Sequence, residues 1–177
     1  MGLTRGELIR TGIGGAALLA LASCARSSAP AAPPFDDPGY HYAILGPSDR
    51  VMFAALASAM LAGALPSGSP GGVPPLVQVV RGVDVVLAGL LPAQLAEVQQ
   101  LFSLLEFPVT RALACGIWSG WREAGPGDVA QFLERWRFSG VELFRSGYQA
   151  LHTILSGAWY GNANSWPRIG YPGPPPL

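Results

Sequence analysis

The segment Val51–Leu65 is apolar at nearly every position, and it constrains the fold more than any other feature of the sequence. A helix that is apolar on all sides is either buried on all sides or embedded in a membrane. The segment is shorter than the about 20 residues that cross a bilayer, and Pro66 ends it. We therefore predict a central buried helix that begins at Pro47 or Ser48 and is covered by other helices.

Further helices are predicted from turn residues and from apolar residues spaced three and four apart. They cover about Pro75–Leu90, Pro92–Leu105, a short piece at Val109–Cys115, Val129–Arg137 with Asp128 as N-cap, and Gly140–Trp159. Arg81 and Asp84 stand three residues apart, so they can pair on one helical face. No segment alternates as a strand does. The predicted fold of residues 41–159 is all-α, a compact bundle of about five helices, followed by an extended Pro-, Gly- and aromatic-rich C-terminal arm over residues 160–177.

The chain is electrically balanced and poor in charge. It has 11 basic residues, all of them Arg, and 11 acidic ones; only 12% of it is charged, whereas 50% is apolar. Soluble domains average about 25% charged residues. Because there is no excess of positive charge, the chain is not expected to bind nucleic acid. A folded surface so poor in charge is typical of a protein that meets a membrane or a partner.

Residues 1–23 have the layout of an export signal. Two arginines precede the apolar run Thr11–Ala22, which is too short to span a bilayer. Leu21-Ala22-Ser23-Cys24 resembles the lipobox of bacterial lipoproteins, in which the cysteine carries a diacylglycerol and becomes the first mature residue. We predict a lipoprotein-type signal peptide, lipidation at Cys24 and a periplasmic, membrane-anchored mature chain. A plain signal peptide with an incidental cysteine is the alternative.

The same stretch is similar to a second export signal. Thr4-Arg5-Gly6-Glu7-Leu8-Ile9-Arg10 resembles a twin-arginine signal, but Gly6 stands where the second arginine belongs, so both this route and the general secretory route stay open. Residues 24–40 are predicted to be a tether, because a Ser-, Ala- and Pro-rich composition buries too little apolar surface to fold. Asp36 and Asp37 lie in this tether, where no burial is expected to raise their pKa.

Side chains that carry catalysis or bind metals form no recognisable site in this sequence. His41 lies at the end of the tether, and His152 falls on a polar stripe of the last predicted helix. Cys115 has apolar neighbours and no metal-ligand spacing, so we expect it to be a small buried hydrophobe. We therefore predict no catalytic, cofactor-binding or metal-binding residue in this chain. A stand-alone enzyme is the least favoured interpretation.

Aromatic residues concentrate in and after the last predicted helix. Trp, Tyr and Arg dominate the energetics of many interfaces, and a Pro-rich arm loses little entropy when it docks. The predicted partner interface comprises Trp136, Arg137, Arg145, Tyr148, Trp159, Tyr160, Trp166, Ile169 and Tyr171. Two alternatives stay open: the helical Trp136, Tyr148 and Trp159 belong to the core, and the arm folds back on its own body.

Two parts of the sequence resemble a known family. The C-terminal part has Trp136-Arg137-Phe138-Ser139, Leu143-Phe144-Arg145-Ser146-Gly147-Tyr148, Ala158-Trp159-Tyr160-Gly161-Asn162 and Trp166-Pro167-Arg168-Ile169-Gly170-Tyr171-Pro172-Gly173-Pro174; the start of the body has Ile44-Leu45-Gly46-Pro47, Ala54-Ala55-Leu56 and Leu65-Pro66. Over about residues 42–174 the chain resembles the small (gamma) subunits of bacterial periplasmic FAD-dependent alcohol and sugar dehydrogenases, which are related to gluconate 2-dehydrogenase subunit 3.

The resemblance implies a non-catalytic accessory subunit of an oxidoreductase complex. In that family a large flavoprotein of the glucose–methanol–choline type binds FAD and oxidises the substrate, the small subunit has a chaperone-like role in its folding and export, and electrons commonly pass to a c-type cytochrome. FAD is thus expected in the partner and not in this chain. Gly6 departs from the arginine pair of the family, and Cys24 adds a membrane anchor. The alternative is a stand-alone lipoprotein that binds a small apolar ligand in a cavity closed by the arm.

Overall fold

Helices form the regular structure in the described part of the chain. The computed structural model describes residue 35 and residues 37–68 and 73–174. Its α-helices are α1 (Pro47–Met60), α2 (Pro75–Ala88), α3 (Pro92–Glu106), α4 (Pro108–Thr110), α5 (Pro126–Arg137) and α6 (Glu142–Tyr160). A π-helical turn, Arg111–Cys115, continues α4, and a 3-10 helix spans Ala163–Ile169. The predicted all-α bundle of about five helices is confirmed, since all these α-helices except α4 run for several turns.

Proline begins most of these helices. The first helical residue is proline in α1, α2, α3, α4 and α5. The N–H of that residue has no partner within a helix, so proline sacrifices nothing there, and its fixed φ angle suits the helix. The N-cap predicted at Asp128 is wrong, because α5 begins at Pro126 with Gly125 as N-cap. Asp128 lies instead in the first turn, where the helix dipole favours a carboxylate.

Helix α1 is the centre of the bundle. Its residues Met52–Ala57 are all buried, and the helix contacts α2, α3, α5 and α6. The ring of Phe53 meets the ring of Phe102 in α3 edge to face, with centroids 5.0 Å apart. The predicted central buried helix is therefore confirmed, although the helix itself ends at Met60 and a turn carries the chain on to Leu65.

Two glycines allow the helices to approach one another closely. A Cβ atom at Gly82 in α2 would lie 2.7 Å from the carbonyl oxygen of Ala158 in α6. A Cβ atom at Gly147 in α6 would lie 2.5 Å from the ring of Trp136 in α5. Both distances are far below van der Waals contact, so a side chain at either position would push the packed helices apart.

Asp84 fastens the chain that precedes α1 to helix α2. Its carboxylate is 2% exposed and accepts hydrogen bonds from the backbone N–H groups of Ala43, Ile44 and Leu45, each 2.9 Å long. The predicted pairing of Asp84 with Arg81 is therefore wrong. Both oxygens of Asp84 are taken by backbone donors, and Arg81 pairs with a different carboxylate.

The partner of Arg81 is Asp37. The Nε and Nη2 atoms of Arg81 donate to the two carboxylate oxygens at 2.8 and 2.7 Å, and the Tyr42 hydroxyl donates to the same group at 2.8 Å. The hydrogen bond from Arg81 lowers the pKa of Asp37, although burial opposes this; burial, followed by the nearby Asp37, raises the pKa of Tyr42. Asp37 is buried and paired, so the assignment of residue 37 to an unburied tether is wrong.

The C-terminal segment folds back on the bundle. Residues Ala163–Ile169 form a 3-10 helix, so the extended conformation predicted for the arm is wrong there. The Asn164 side-chain amide donates to the Gln78 side-chain oxygen at 2.9 Å, and Ser165 is buried. The Trp166 indole N–H donates to the Tyr160 carbonyl at 3.0 Å. These contacts tie the segment to α2 and to the end of α6.

Several predicted features lie outside the described residues. They are the signal peptide, Cys24, residues 25–34 and 36 of the tether, and residues 175–177 of the arm. Among the helices that the structure describes, none combines the length and the apolar character needed to cross a membrane.

Candidate protein-binding surface

Two of the predicted interface residues belong to the core. Trp136 is 3% exposed and Trp159 is 2% exposed. The indole N–H of Trp136 donates to the carbonyl of Ala114 at 3.0 Å, and its ring lies against Phe132 and Phe144. The alternative that these two tryptophans belong to the core is therefore the one that the structure shows, and their rings offer a partner little exposed surface.

The polar residues predicted for the interface lie on the surface near the junction of α5 and α6. Arg137 and Arg145 are exposed, and the Arg137 guanidinium lies 5.1 Å from the centre of the Phe138 ring. The Nη1 atom of Arg145 donates to the Ser139 carbonyl at 2.6 Å, which holds the junction in place. Tyr148 is half-buried, and its ring is close to the exposed His152 on the same helix.

The C-terminal residues of the predicted interface form a second group. Tyr160, Ile169 and Tyr171 are exposed, and Trp166 is half-buried. Tyr160 and Ile169 line one shallow depression of about 300 Å³, and the rings of Trp166 and Tyr171 meet edge to face at 5.2 Å. The 3-10 helix therefore brings these four side chains together at the end of α6.

A third apolar surface has no counterpart in the predicted interface. Four exposed side chains, here called the exposed apolar segment, lie within the π-helical turn or on either side of it: Phe107, Val109, Leu113 and Trp118. Leu113 is 76% exposed and Trp118 is 69% exposed. Val109 and Leu113 stand four residues apart, so they lie on the same side of the helical segment. Exposed apolar side chains mark a contact site where they cluster, and these four lie within residues 107–118.

Side-chain hydrogen bonds to backbone carbonyls hold the exposed apolar segment against the bundle. Arg111 donates to the carbonyl of Glu106 at 2.9 Å, and the indole N–H of Trp121 donates to the carbonyl of Leu105 at 3.0 Å. Arg135 donates to the carbonyl of Cys115, the residue before Gly116. Gly116 adopts a φ of 69°, which ends the π-helical turn in a left-handed conformation that favours glycine. The segment thus presents its apolar side chains from a fixed backbone.

The corner between α5 and α6 adds further exposed apolar side chains. Phe138, Val141 and Leu143 are each more than half exposed. Leu143 borders a groove of about 450 Å³ between α3 and α6. The apolar residues that line this groove are Val98, Leu101, Leu104, Trp136, Leu143, Phe144 and Ala150. Phe138 and Leu143 belong to the segments that resemble the family, but they are not among the residues predicted for the interface.

Titratable groups at these surfaces favour packing over chemistry. Cys115 is fully buried, and burial raises the pKa of its thiol to about 12, so the thiolate that would act as a nucleophile or metal ligand is disfavoured. The predicted role of Cys115 as a small buried hydrophobe is confirmed. His152 is exposed as predicted, and His41 is exposed as well. Over residues 37–68 and 73–174, no three His, Cys, Asp or Glu side chains are grouped as a metal site requires.

Comparisons with known proteins give no match for this chain, whether against family models, curated proteins or solved structures. What the apolar surfaces bind is therefore inferred from their residues and their geometry.

Proposed function

We propose that this chain is a non-catalytic accessory subunit of an oxidoreductase complex. It binds and stabilises a large FAD-dependent dehydrogenase of the glucose–methanol–choline type, assists its maturation and holds it at the membrane through lipid on Cys24. FAD resides in the partner, and a c-type cytochrome accepts the electrons. The proposal is supported by the family resemblance over about residues 42–174 and by the apolar surfaces of the bundle.

The observation that carries the proposal is the exposed apolar segment. Free monomers rarely leave large aromatic and aliphatic side chains exposed together, and such patches typically mark protein or membrane contacts. Interface cores are enriched in aromatic residues and poor in charge. The exposed apolar segment has the same character, since it contains Phe107, Leu113 and Trp118. Because side-chain hydrogen bonds to backbone carbonyls already hold this segment, docking costs little conformational entropy. These properties favour binding of a protein partner over solvation.

The main test is co-expression with a flavoprotein of the glucose–methanol–choline type encoded beside this chain. We expect the two to co-purify with bound FAD, and the flavoprotein expressed alone to be less soluble. Trp118→Ala and Leu113→Ala should each weaken the complex by about 10-fold or more, the effect of losing a central interface side chain. Leu91→Ala is the matched control, since Leu91 is equally exposed at the start of α3. No co-purification with the wild-type chain would contradict the proposal.

The membrane anchor is tested separately. Cys24→Ala should move the chain from the membrane fraction to the soluble fraction, because acyl chains on Cys24 supply the anchoring energy. Ser23→Ala is a conservative control that leaves the cysteine in place. Retention of Cys24→Ala in the membrane fraction would refute lipid anchoring while leaving the binding of a flavoprotein untouched.

The groove between α3 and α6 favours one second candidate, a stand-alone lipoprotein that binds a small apolar ligand. Its volume of about 450 Å³ and its mostly apolar lining suit such a ligand. The cavity predicted for this alternative is closed by the C-terminal arm, whereas this groove is lined by residues of α3, α5 and α6. An apolar ligand that stays bound to the purified chain, and is lost in Leu101→Gln, would favour this candidate.

A further inference from the structure

A cleft of about 470 Å³ shares no lining residue with the groove between α3 and α6. It is formed by the start of α1, the end of α3, the π-helical turn and the loop that contains Trp121. The side chains of Glu106, Arg111 and Trp121 line it. The volume is more than ten times the roughly 30 Å³ that one water molecule occupies in the liquid. The cleft therefore has room for a group of several atoms.

Two buried polar atoms of this cleft have no hydrogen-bond partner in the described part of the chain. They are Oε1 of Glu106 and Nε of Arg111. Arg111 is only 9% exposed, and its Nη1 atom donates to the carbonyl of Glu106, which fixes the guanidinium at the base of the cleft. Buried polar atoms are nearly always paired. One acceptor and one donor that both lack a partner thus point to a bound group that supplies the complement of each.

Charges around the cleft disfavour an ionic ligand of either sign. Carboxylates of Asp49 and Glu123 and guanidinium groups of Arg111 and Arg122 lie around it or beside its residues. Burial raises the pKa of Glu106, and the charge of Asp49 and a hydrogen bond between the two carboxyl groups add to this effect. A carboxyl group keeps an oxygen that accepts a hydrogen bond whether it is ionised or neutral. A carboxylate ligand would meet acidic groups and an ammonium ligand would meet guanidinium groups, so a neutral polar ligand fits best.

We propose that the Glu106–Arg111 cleft binds a neutral amide group. The amide carbonyl accepts a hydrogen bond from the Nε–H of Arg111, and the amide N–H donates to Oε1 of Glu106. A hydroxyl group offers a donor and an acceptor on one atom, as water does, and so gains little over the solvent that it displaces. The amide belongs either to a peptide backbone or to a primary amide such as a Gln side chain. The proposal goes beyond the accessory-subunit function and needs no flavoprotein.

The test uses the full chain in detergent and follows the ¹⁵N–¹H signals of Arg111 Nε–H and Trp121 Nε1–H. The probes are N-acetylglycine N-methylamide, which carries only backbone-type amides, and propionamide, which carries a primary amide. We expect at least one of them to shift the Arg111 signal saturably, and the tighter probe identifies the source of the amide. Propionate and 1-propanol are the controls and should bind on the order of tenfold more weakly, a difference that affinity measurements resolve readily.

Variants at position 106 separate recognition from folding. Glu106→Leu removes the acceptor oxygen and keeps a similar side-chain volume, so the protein should stay folded and lose propionamide binding. Glu106→Gln keeps an acceptor oxygen and should bind within a few-fold of the wild type. Glu97→Leu makes the same change at an exposed position of α3 and is the matched control.

Two results would overturn the proposal. The first is a bridging water only: the Arg111 Nε–H then shows a cross-peak to water, and no amide probe saturates. The second is unchanged propionamide affinity in Glu106→Leu, which would place the amide elsewhere. The accessory-subunit proposal is unaffected by either result, because its test measures co-purification with a flavoprotein.

Discussion

Replacement of Asp84 by alanine is expected to be the most damaging single polar substitution in the described part of the chain. The carboxylate accepts three backbone hydrogen bonds, each 2.9 Å long, from Ala43, Ile44 and Leu45. Asp84→Ala leaves all three N–H groups without this acceptor. The segment that leads into α1 then loses its attachment to α2, and both helices are central to the bundle.

The size of the effect follows from the burial of each donor. A hydrogen bond to a charged group contributes about 1.5–3 kcal/mol, and a neutral one about 0.5–1.5 kcal/mol. Leu45 is buried, so its N–H loses the full contribution, whereas the N–H groups of Ala43 and Ile44 are partly buried and regain water. The sum is about 3–6 kcal/mol, a large share of the roughly 5–15 kcal/mol that stabilises a typical domain.

Urea unfolding followed by tryptophan fluorescence measures this loss. With a slope of about 2 kcal/mol per molar urea, the middle of the usual range, the midpoint of Asp84→Ala should fall by about 1.5–3 M. Asp84→Asn keeps one oxygen and should cost a third to a half as much. Asp128→Ala is the matched control, because Asp128 is exposed in the first turn of α5 and its dipole interaction is worth at most about 1 kcal/mol. A loss in Asp84→Ala no larger than in this control would refute the reasoning.

Three further predictions concern burial and packing. The hydrogen bond from its arginine partner lowers the pKa of Asp37. The stability that this carboxylate contributes is therefore full above the unfolded pKa of about 3.9 and is lost as the pH falls through the folded pKa. Unfolding measured over an acid pH range should show the loss in the wild type and not in Asp37→Asn. Gly147→Ala should lower the melting temperature, because its Cβ would lie 2.5 Å from the ring of Trp136 and overpacking costs about 1–3 kcal/mol. Gly157→Ala in the same helix places its Cβ 4.0 Å from Cγ2 of Val86, an ordinary van der Waals contact, and should stabilise by about 0.5–1 kcal/mol. Burial raises the pKa of the Cys115 thiol to about 12. In a variant that lacks the other cysteine, this thiol should react with Ellman's reagent at pH 8 only after unfolding. Rapid reaction of the folded protein would contradict its burial.

Helix positions were largely predictable because they depend on neighbours in the sequence. Proline suits the first residue of a helix, and Pro47, Pro75 and Pro92 mark the starts of α1, α2 and α3. The apolar run Val51–Leu65 also predicts that α1 lies at the centre, since no face of that helix is polar. The start of α5 was misplaced because Asp128 and Pro126 are both acceptable near a helix start and the local pattern does not choose between them.

The partners of polar side chains were not predictable in the same way. Arg81 and Asp84 have the spacing of a helical ion pair, yet their partners are Asp37 and the backbone of residues 43–45, about 40 residues away along the chain. The fold of the C-terminal segment likewise depends on the contact of Asn164 with Gln78, which are 86 residues apart. Contacts of this kind arise only when the helices pack.

The candidate surface was predictable in composition but not in detail. Aromatic residues near α6 predicted an interface, and Tyr160, Ile169 and Tyr171 are exposed there. Trp136 and Trp159 are of a residue type that interfaces favour, but both are buried. The exposed apolar segment was missed because residues 107–118 have a weak period, so no face of that segment could be assigned to the core.

By itself, the sequence determined an all-α chain, the approximate positions of its main helices and the burial of α1, because helix propensity, proline geometry and apolar spacing act over a few residues. Only the tertiary structure decided which tryptophans fill the core, where Asp37 and Asp84 find their partners, and which apolar side chains stay exposed. Those outcomes depend on how the helices cover one another, and burial of a side chain is a property of the packed bundle and not of its local sequence.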